Sequence, residues 1–138
     1  MPPAVAKALH AYVAALDSHD GPALCALFKP GALDVLHLPK GSGCSGLSSS
    51  LGYRPPHGLP QWDDARIAAI KSVVPAGAGV RATVTIVDRY HGNPQPSVED
   101  DVVFLQPAGG SWLITQPSVT IYRAIGVPDP PPSVLAAP

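Results

Sequence analysis

Val80-Arg-Ala-Thr-Val-Thr-Ile-Val-Asp-Arg-Tyr-His91 alternates along its whole length: Val80, Ala82, Val84, Ile86 and Asp88 fall on one face, Arg81, Thr83, Thr85, Val87 and Arg89 on the other. A period of two with one apolar face is the pattern of an antiparallel strand lying half on a core. Downstream, Gly92-Asn-Pro-Gln-Pro-Ser97 breaks the run, Val98 to Gln106 resumes it, Pro107-Ala-Gly-Gly110 breaks it again, and Trp112-Leu-Ile-Thr115 follows. Two Gly/Pro-rich turns between three β-branched runs predict a meander, its third strand running from Trp112 and, past Pro117, on through Val119-Thr-Ile-Tyr122. The strand after the first break starts with three acids, Glu99, Asp100 and Asp101, where a strand entering a dry core normally carries none. Upstream, Ala65 to Val74 fits a helix through Ile67, Ile70 and Val74. Its valines and the Pro75-Ala-Gly-Ala-Gly79 turn favour a strand in a hairpin.

The 138 residues, 46% of them hydrophobic, are enough for one core, expected over 1–126 with a Pro-rich tail over 127–138. Ten acids against nine bases, with no Lys/Arg run, lack the basic footprint that nucleic-acid binding needs. No apolar stretch approaches the ~18 residues of a membrane span, and no charged segment leads into an apolar one as in a signal peptide.

Toward the N-terminus, Val5, Leu9, Tyr12, Val13 and Leu16 fall at helical spacing within Ala4 to Asp17, which turns Tyr12 inward. Asp20 is placed to cap a second helix with Pro22 in its first turn, and Pro30-Gly31 stops it. Ala32 to Leu38 reads as a short strand with Asp34, Leu36 and Leu38 on one face and Leu33, Val35 and His37 on the other. Residues 39 to 64 are irregular, with a short helix around Ser45 to Leu51 and a Tyr53-to-Pro60 loop. Helices followed by antiparallel strands make an α+β fold with the helices on one sheet face.

Tyr12-Val-Ala-Ala-Leu-Asp-Ser-His-Asp-Gly-Pro-Ala-Leu-Cys-Ala-Leu-Phe28, followed by Pro-Gly-Ala and a strand, resembles the opening of the nuclear transport factor 2-like superfamily. The ending, with Trp112 just past a glycine turn, resembles it too. The superfamily includes ketosteroid isomerases and SnoaL-like polyketide cyclases. The resemblance implies a curved antiparallel sheet wrapped against helices into a cone with an apolar pocket, often in a dimer. It also places Tyr12 where the isomerases keep an oxyanion-hole tyrosine, and Asp101, or Asp100 in the neighbouring register, where they keep a protonated aspartate. Their catalytic base aligns with Leu36, and Asp34 stands two residues earlier, a displacement of roughly 6 to 7 Å that takes it out of reach of the same proton. Cys25 and Cys44, 19 residues apart, resemble a bridged pair in exported actinobacterial members of this superfamily, which implies a disulfide and an exported or cell-envelope domain. Two buried thiols in a cytoplasmic protein fit the same residues.

On facing walls of a dry pocket, Asp34 and Asp101 would serve as general acid and base, with Tyr12 donating to a developing oxyanion. Asp34 bonding nearby backbone and a wet, acidic strand end are the structural alternative. Tyr90, Trp112, Tyr122 and His37 are the candidates to line a pocket for a hydrophobic small molecule, and as lone aromatics the first three also fit a plain core. His10, His19, His37, His57 and His91 lack metal-ligand spacing, and no phosphate loop or serine elbow occurs, so neither metal nor cofactor is expected. Two functions follow: a cofactor-free isomerase, cyclase or dehydratase on a hydrophobic metabolite, or a non-catalytic ligand-binding or dimerisation module. Convergence of Asp34, Tyr12 and Asp101 on one void favours the enzyme, and a filled core favours the module.

Overall fold

The computed structural model describes residues 2–38, 41–53, 60–127 and 129–138. Helix α1 (Pro3–Asp17) buries Val5, Leu9, Tyr12, Val13 and Leu16, the stripe its spacing predicts. Helix α2 (Gly21–Ala26) starts at Asp20, whose carboxylate accepts the Ala23 N–H at 3.0 Å, with Pro22 in the first turn. Two-residue strands β1 (His37–Leu38) and β2 (Gly41–Ser42) pair, and a 3₁₀ turn at Gly43–Gly46 leads into α3 (Leu47–Ser50). The main sheet is antiparallel in sequence order: β3 (Trp62–Ala76), β4 (Gly79–Tyr90), β5 (Ser97–Ala108) and β6 (Ser111–Ile114). Helix α4 (Val119–Ala124) and a 3₁₀ turn at Pro132–Leu135 complete the chain. Among the described residues no helix is long and apolar enough to cross a membrane.

Three irregularities in the β3–β4 register, at Trp62/Asp64, Ile67/Ala69 and Ile70/Ser72, bend the long strand. The curved sheet closes around α1, which packs against β3 and β6. Lys29 N–H to Ile114 C=O and Ile114 N–H to Leu27 C=O, both 2.8 Å, tie the segment after α2 to the last strand. At the β3–β4 turn Gly79 lies so close to β5 that a side chain there would collide with the Leu105 carbonyl. Cys25 and Cys44 are disulfide-bonded, with Cα atoms 5.8 Å apart, which fixes α2 to the turn before α3.

Two predicted strands take other forms. Residues 31–35 are turns rather than a strand: Ala32, Asp34 and Leu36 donate their N–H groups to Lys29, Gly31 and Leu33, three residues back. Burial accordingly falls on Leu33 and Leu36, a period of three that the alternating reading missed. Val119 to Tyr122 is helix α4, because Ser118 takes the extended N-cap conformation and β5 supplies a carboxylate to the first N–H groups. In the tail, Val134 is buried, and the Gln116 side-chain amide donates to the backbone carbonyls of Ser133, Val134 and Ala136 at 2.9–3.2 Å. His57 and most of the Tyr53-to-Pro60 loop lie outside the described residues.

Candidate acid/base site on the concave sheet face

Register decides which acids meet. Residues directly opposite in an antiparallel pair share a face, and here Val84 faces Asp101, Ile86 faces Glu99 and Asp88 faces Ser97. Asp88, Glu99 and Asp101 therefore stand on the concave, apolar side of the sheet with Val84 and Ile86. Asp100 points outward, where Lys71 Nζ at 2.7 Å and Thr85 Oγ1 at 2.8 Å hold its carboxyl below the ordinary range. This settles the Asp100/Asp101 ambiguity in favour of Asp101 as the inward residue.

Asp101 is buried and fully engaged. One oxygen accepts the N–H of Val102 at 2.8 Å and of Val119 at 3.1 Å; the other accepts Ser118 Oγ–H at 2.6 Å, Thr120 N–H at 3.0 Å and Thr120 Oγ1–H at 2.5 Å. Burial raises its pKa, and the five donors pull against that rise. Ser118 gives its proton to Asp101, so the Tyr12 hydroxyl is the donor in its 2.7 Å bond to Ser118 Oγ. Tyr12 is itself buried, edge-on to Phe28 at 5.7 Å, and its pKa is raised by burial and then by the Asp101 charge. Tyr12, Ser118 and Asp101 thus form a closed chain that anchors α4 to β5 and α1.

Asp88 is the opposite case. It is 0% exposed, and both carboxyl oxygens are buried without a hydrogen-bond partner. The Trp62 indole Nε1, buried on the same face where Trp62 pairs with Tyr90, also has none. The Asp88 pKa is pushed up to about 7, by burial first and then by the charge of Glu99; the Trp62 N–H works in the other direction without closing a hydrogen bond of good geometry. Half-buried Tyr90 is pushed up to about 12 by burial and by the charges of Asp88 and Glu99. Glu99 itself stands at the edge of this dry patch, 3.5 Å from Arg123 Nε of α4, each side chain about 30% exposed.

The residues singled out from sequence are therefore divided. Tyr12 and Asp101 come together through Ser118, but Asp34 is exposed on the turn beside Gly31 and Gly43 and takes no part in that buried chain of hydrogen bonds. The convergence of Asp34, Tyr12 and Asp101 on one void is not realised among the described residues, because the strand that was to carry Asp34 inward is a turn. Tyr90 adjoins Asp88. Half-buried Trp112 lies opposite Pro107, eight residues along β5 from Glu99 and so about 25 Å away. Tyr122 lines a separate groove of about 370 Å³ with Val35, Pro117, Pro131 and Val134. His37 is exposed on β1. Sequence reasoning did not single out Asp88 or Trp62, and it marked Glu99 only as one of three acids at the start of a strand. The available signal was an acid ending an otherwise apolar strand face, Val80-Ala82-Val84-Ile86-Asp88. Among the described residues no three His, Cys, Asp or Glu side chains gather as a metal set.

The architecture matches solved structures. An NTF-2-like protein of unknown function from Shewanella oneidensis MR-1 superimposes with a TM-score of 0.54 at 12% identity, over 84% of this chain and 96% of that one. The chain has the nuclear transport factor 2-like fold. A hypothetical protein with a ketosteroid isomerase-like fold from Catenulispora acidiphila DSM 44928, solved with trimethylamine, superimposes with a TM-score of 0.51 at 18% identity, over 93% of this chain and 95% of that one. No protein-family model matches the sequence, and no curated protein matches it either.

Proposed function

We propose that the concave face is a small-molecule pocket and that Asp88 works in it as a cofactor-free general acid/base on an apolar carbonyl compound. The observation that carries this reading is the orphaned pair: a wholly buried carboxyl and a buried indole N–H beside it, neither of which closes a hydrogen bond of good geometry among the described residues. Buried polar groups are almost always paired, and each one left open costs about 1–3 kcal/mol. A ligand oxygen accepting from Trp62 Nε1–H and from protonated Asp88 removes both deficits at once. A carboxyl whose pKa lies near 7 exchanges its proton at neutral pH, which is what proton-transfer catalysis requires. In this reading Tyr12 and Asp101 hold the wall of the pocket in place through α4 and do not touch substrate.

The second reading, a non-catalytic ligand-binding module, is favoured by the filled and satisfied Tyr12-Ser118-Asp101 network, which leaves no free donor at that end. The two separate with 2-tetralone, an apolar ketone with exchangeable α-hydrogens, followed by proton NMR in D2O. The expected result is exchange accelerated by the wild type and slowed at least ~100-fold by Asp88→Asn. Equal rates in the two proteins overturn the catalytic role. Binding of 2-naphthol, a stable enol-like analogue, without any exchange of the ketone establishes the module instead.

A further inference from the structure

Asp88 poses a problem of proton supply. A group that takes or gives a proton in each turnover must be reset from water, yet Asp88 has no exposed surface. Among the described residues the charged and titratable neighbours are few. From β5 come Glu99 and Asp101, from its own strand Tyr90, and from α4 Arg123, which reaches Glu99. Asp101 has its lone pairs taken by five donors. Tyr90, with its pKa pushed up to about 12, keeps its proton at neutral pH. Glu99 remains. Asp88 faces Ser97, so Glu99 is its diagonal neighbour on the same face, a separation of about 7–8 Å at the backbone that two acidic side chains span. Glu99 is also a carboxyl that reaches the surface, about one-third exposed.

We propose that Glu99 is the proton relay of this site, with Arg123 as the residue that positions it. The Asp88 O–H bond breaks as its proton passes to the Glu99 carboxylate, and protonated Glu99 then releases that proton to water or a buffer base. Both carboxyls end ionised, and the reverse sequence restores the acid form. The Arg123 guanidinium, 3.5 Å from Glu99, orients its carboxylate at the boundary between the dry patch and solvent. Glu99 acts through Asp88 and is a positioning and relay residue, not one that contacts substrate.

This inference rests on the reading of Asp88 given above, so its test has one arm that needs no turnover. With ¹³C-labelled aspartate, the Asp88 carboxyl is titrated by NMR in the wild type, Glu99→Gln and Glu99→Asp. Removing the neighbouring charge is expected to lower the Asp88 midpoint by about one pH unit in Glu99→Gln, while Glu99→Asp keeps most of the wild-type value. In the second arm, Glu99→Gln is expected to cut kcat for 2-tetralone exchange at least ~10-fold with KM little changed, and added imidazole restores the rate by carrying the proton in place of the side chain. An unmoved midpoint in Glu99→Gln overturns the proposal. So does a moved midpoint with an undiminished rate, since charge coupling without transfer is then all that Glu99 supplies. A wild type that exchanges no 2-tetralone defeats the catalytic reading and the relay with it, whereas an active wild type with an unmoved midpoint defeats the relay alone.

Discussion

Asp88→Asn should change how stability depends on pH, by an amount the structure fixes. Burial raises the Asp88 pKa from 3.8 to about 7. Between those values the native state holds a proton that the unfolded chain has released. Stability is therefore fully present below the unfolded pKa and falls as pH rises through the native one. With those two values the linkage relation gives a loss of about 2.6 kcal/mol between pH 5 and pH 8 from this one group. Asparagine has nearly the same shape and does not titrate. Asp64 and Asp100, whose pKa values are lowered by their hydrogen bonds to Arg89 and Lys71, contribute the opposite trend equally to both proteins and cancel in the difference. The variant should thus gain about 2.6 kcal/mol relative to the wild type on going from pH 5 to pH 8, roughly 8 to 13 °C in Tm for a domain of this size. Urea unfolding followed by circular dichroism at four or five pH values measures the difference directly. Parallel stability curves for the two proteins would refute the reasoning, because they would mean that Asp88 titrates as an ordinary, solvated carboxyl.

Asp101→Ala removes the acceptor for the Val102, Val119 and Thr120 N–H groups and two hydroxyls in a dry setting, and should cost at least about 4 kcal/mol at about 1–3 kcal/mol for each buried donor left open; a loss under about 1 kcal/mol by chemical denaturation would show that α4 does not depend on this cap. The Cys25–Cys44 bridge closes a loop of 19 residues and should contribute about 3 kcal/mol by the chain-entropy relation. Reduction should lower Tm accordingly. Thiol titration of the unfolded protein without reductant should find none, a result that favours the exported or cell-envelope location implied by the resemblance, whereas two thiols per chain would favour the cytoplasm.

Much of the fold was legible because β4 and its neighbours obey a period of two over long stretches and because the helix signals are local. Asp20 and Pro22 mark the start of α2 without help from the rest of the chain. The two elements read wrongly fail for the opposite reason. Val119-Thr-Ile-Tyr122 has strand-like composition, and what turns it into a helix is a carboxylate 18 to 19 residues earlier in sequence that accepts its first N–H groups. Tertiary capping overrides local propensity there. Ala32 to Leu38 alternates on paper, but Gly31, at φ 80°, starts a series of turns that places Leu33 and Leu36 inward and leaves Asp34 in water. The site shares this division. The acid run Glu99-Asp100-Asp101 was visible as an anomaly, but only register assigns Asp100 to the surface and Asp101 to the interior. Asp88 is legible as an acid on an apolar strand face, but nothing local in sequence tells that its neighbours on β3 and β5 leave it buried without a donor.

Asp88 and Asp101 show how one sheet face gives two carboxyls different work. Both are buried, and in both desolvation is the first cause of a raised pKa. What differs is the supply of donors. Asp101 lies where the chain returns across β5 to begin α4, and a helix start brings free N–H groups that need an acceptor. The carboxylate and the helix end each remove the other's deficit, and the result is structural. Asp88 lies near the end of β4, one inward position before Tyr90 and opposite Ala65 and Ser97, neither of which brings a donor to it. The neighbouring charge it does have, Glu99, disfavours its ionised form rather than compensating it. A position with such a penalty is stabilised by almost any neutral side chain of similar size, so the fold itself gives no reason to keep an acid there. A proton that must be held near neutral pH, close to a second carboxyl that reaches water, does give one.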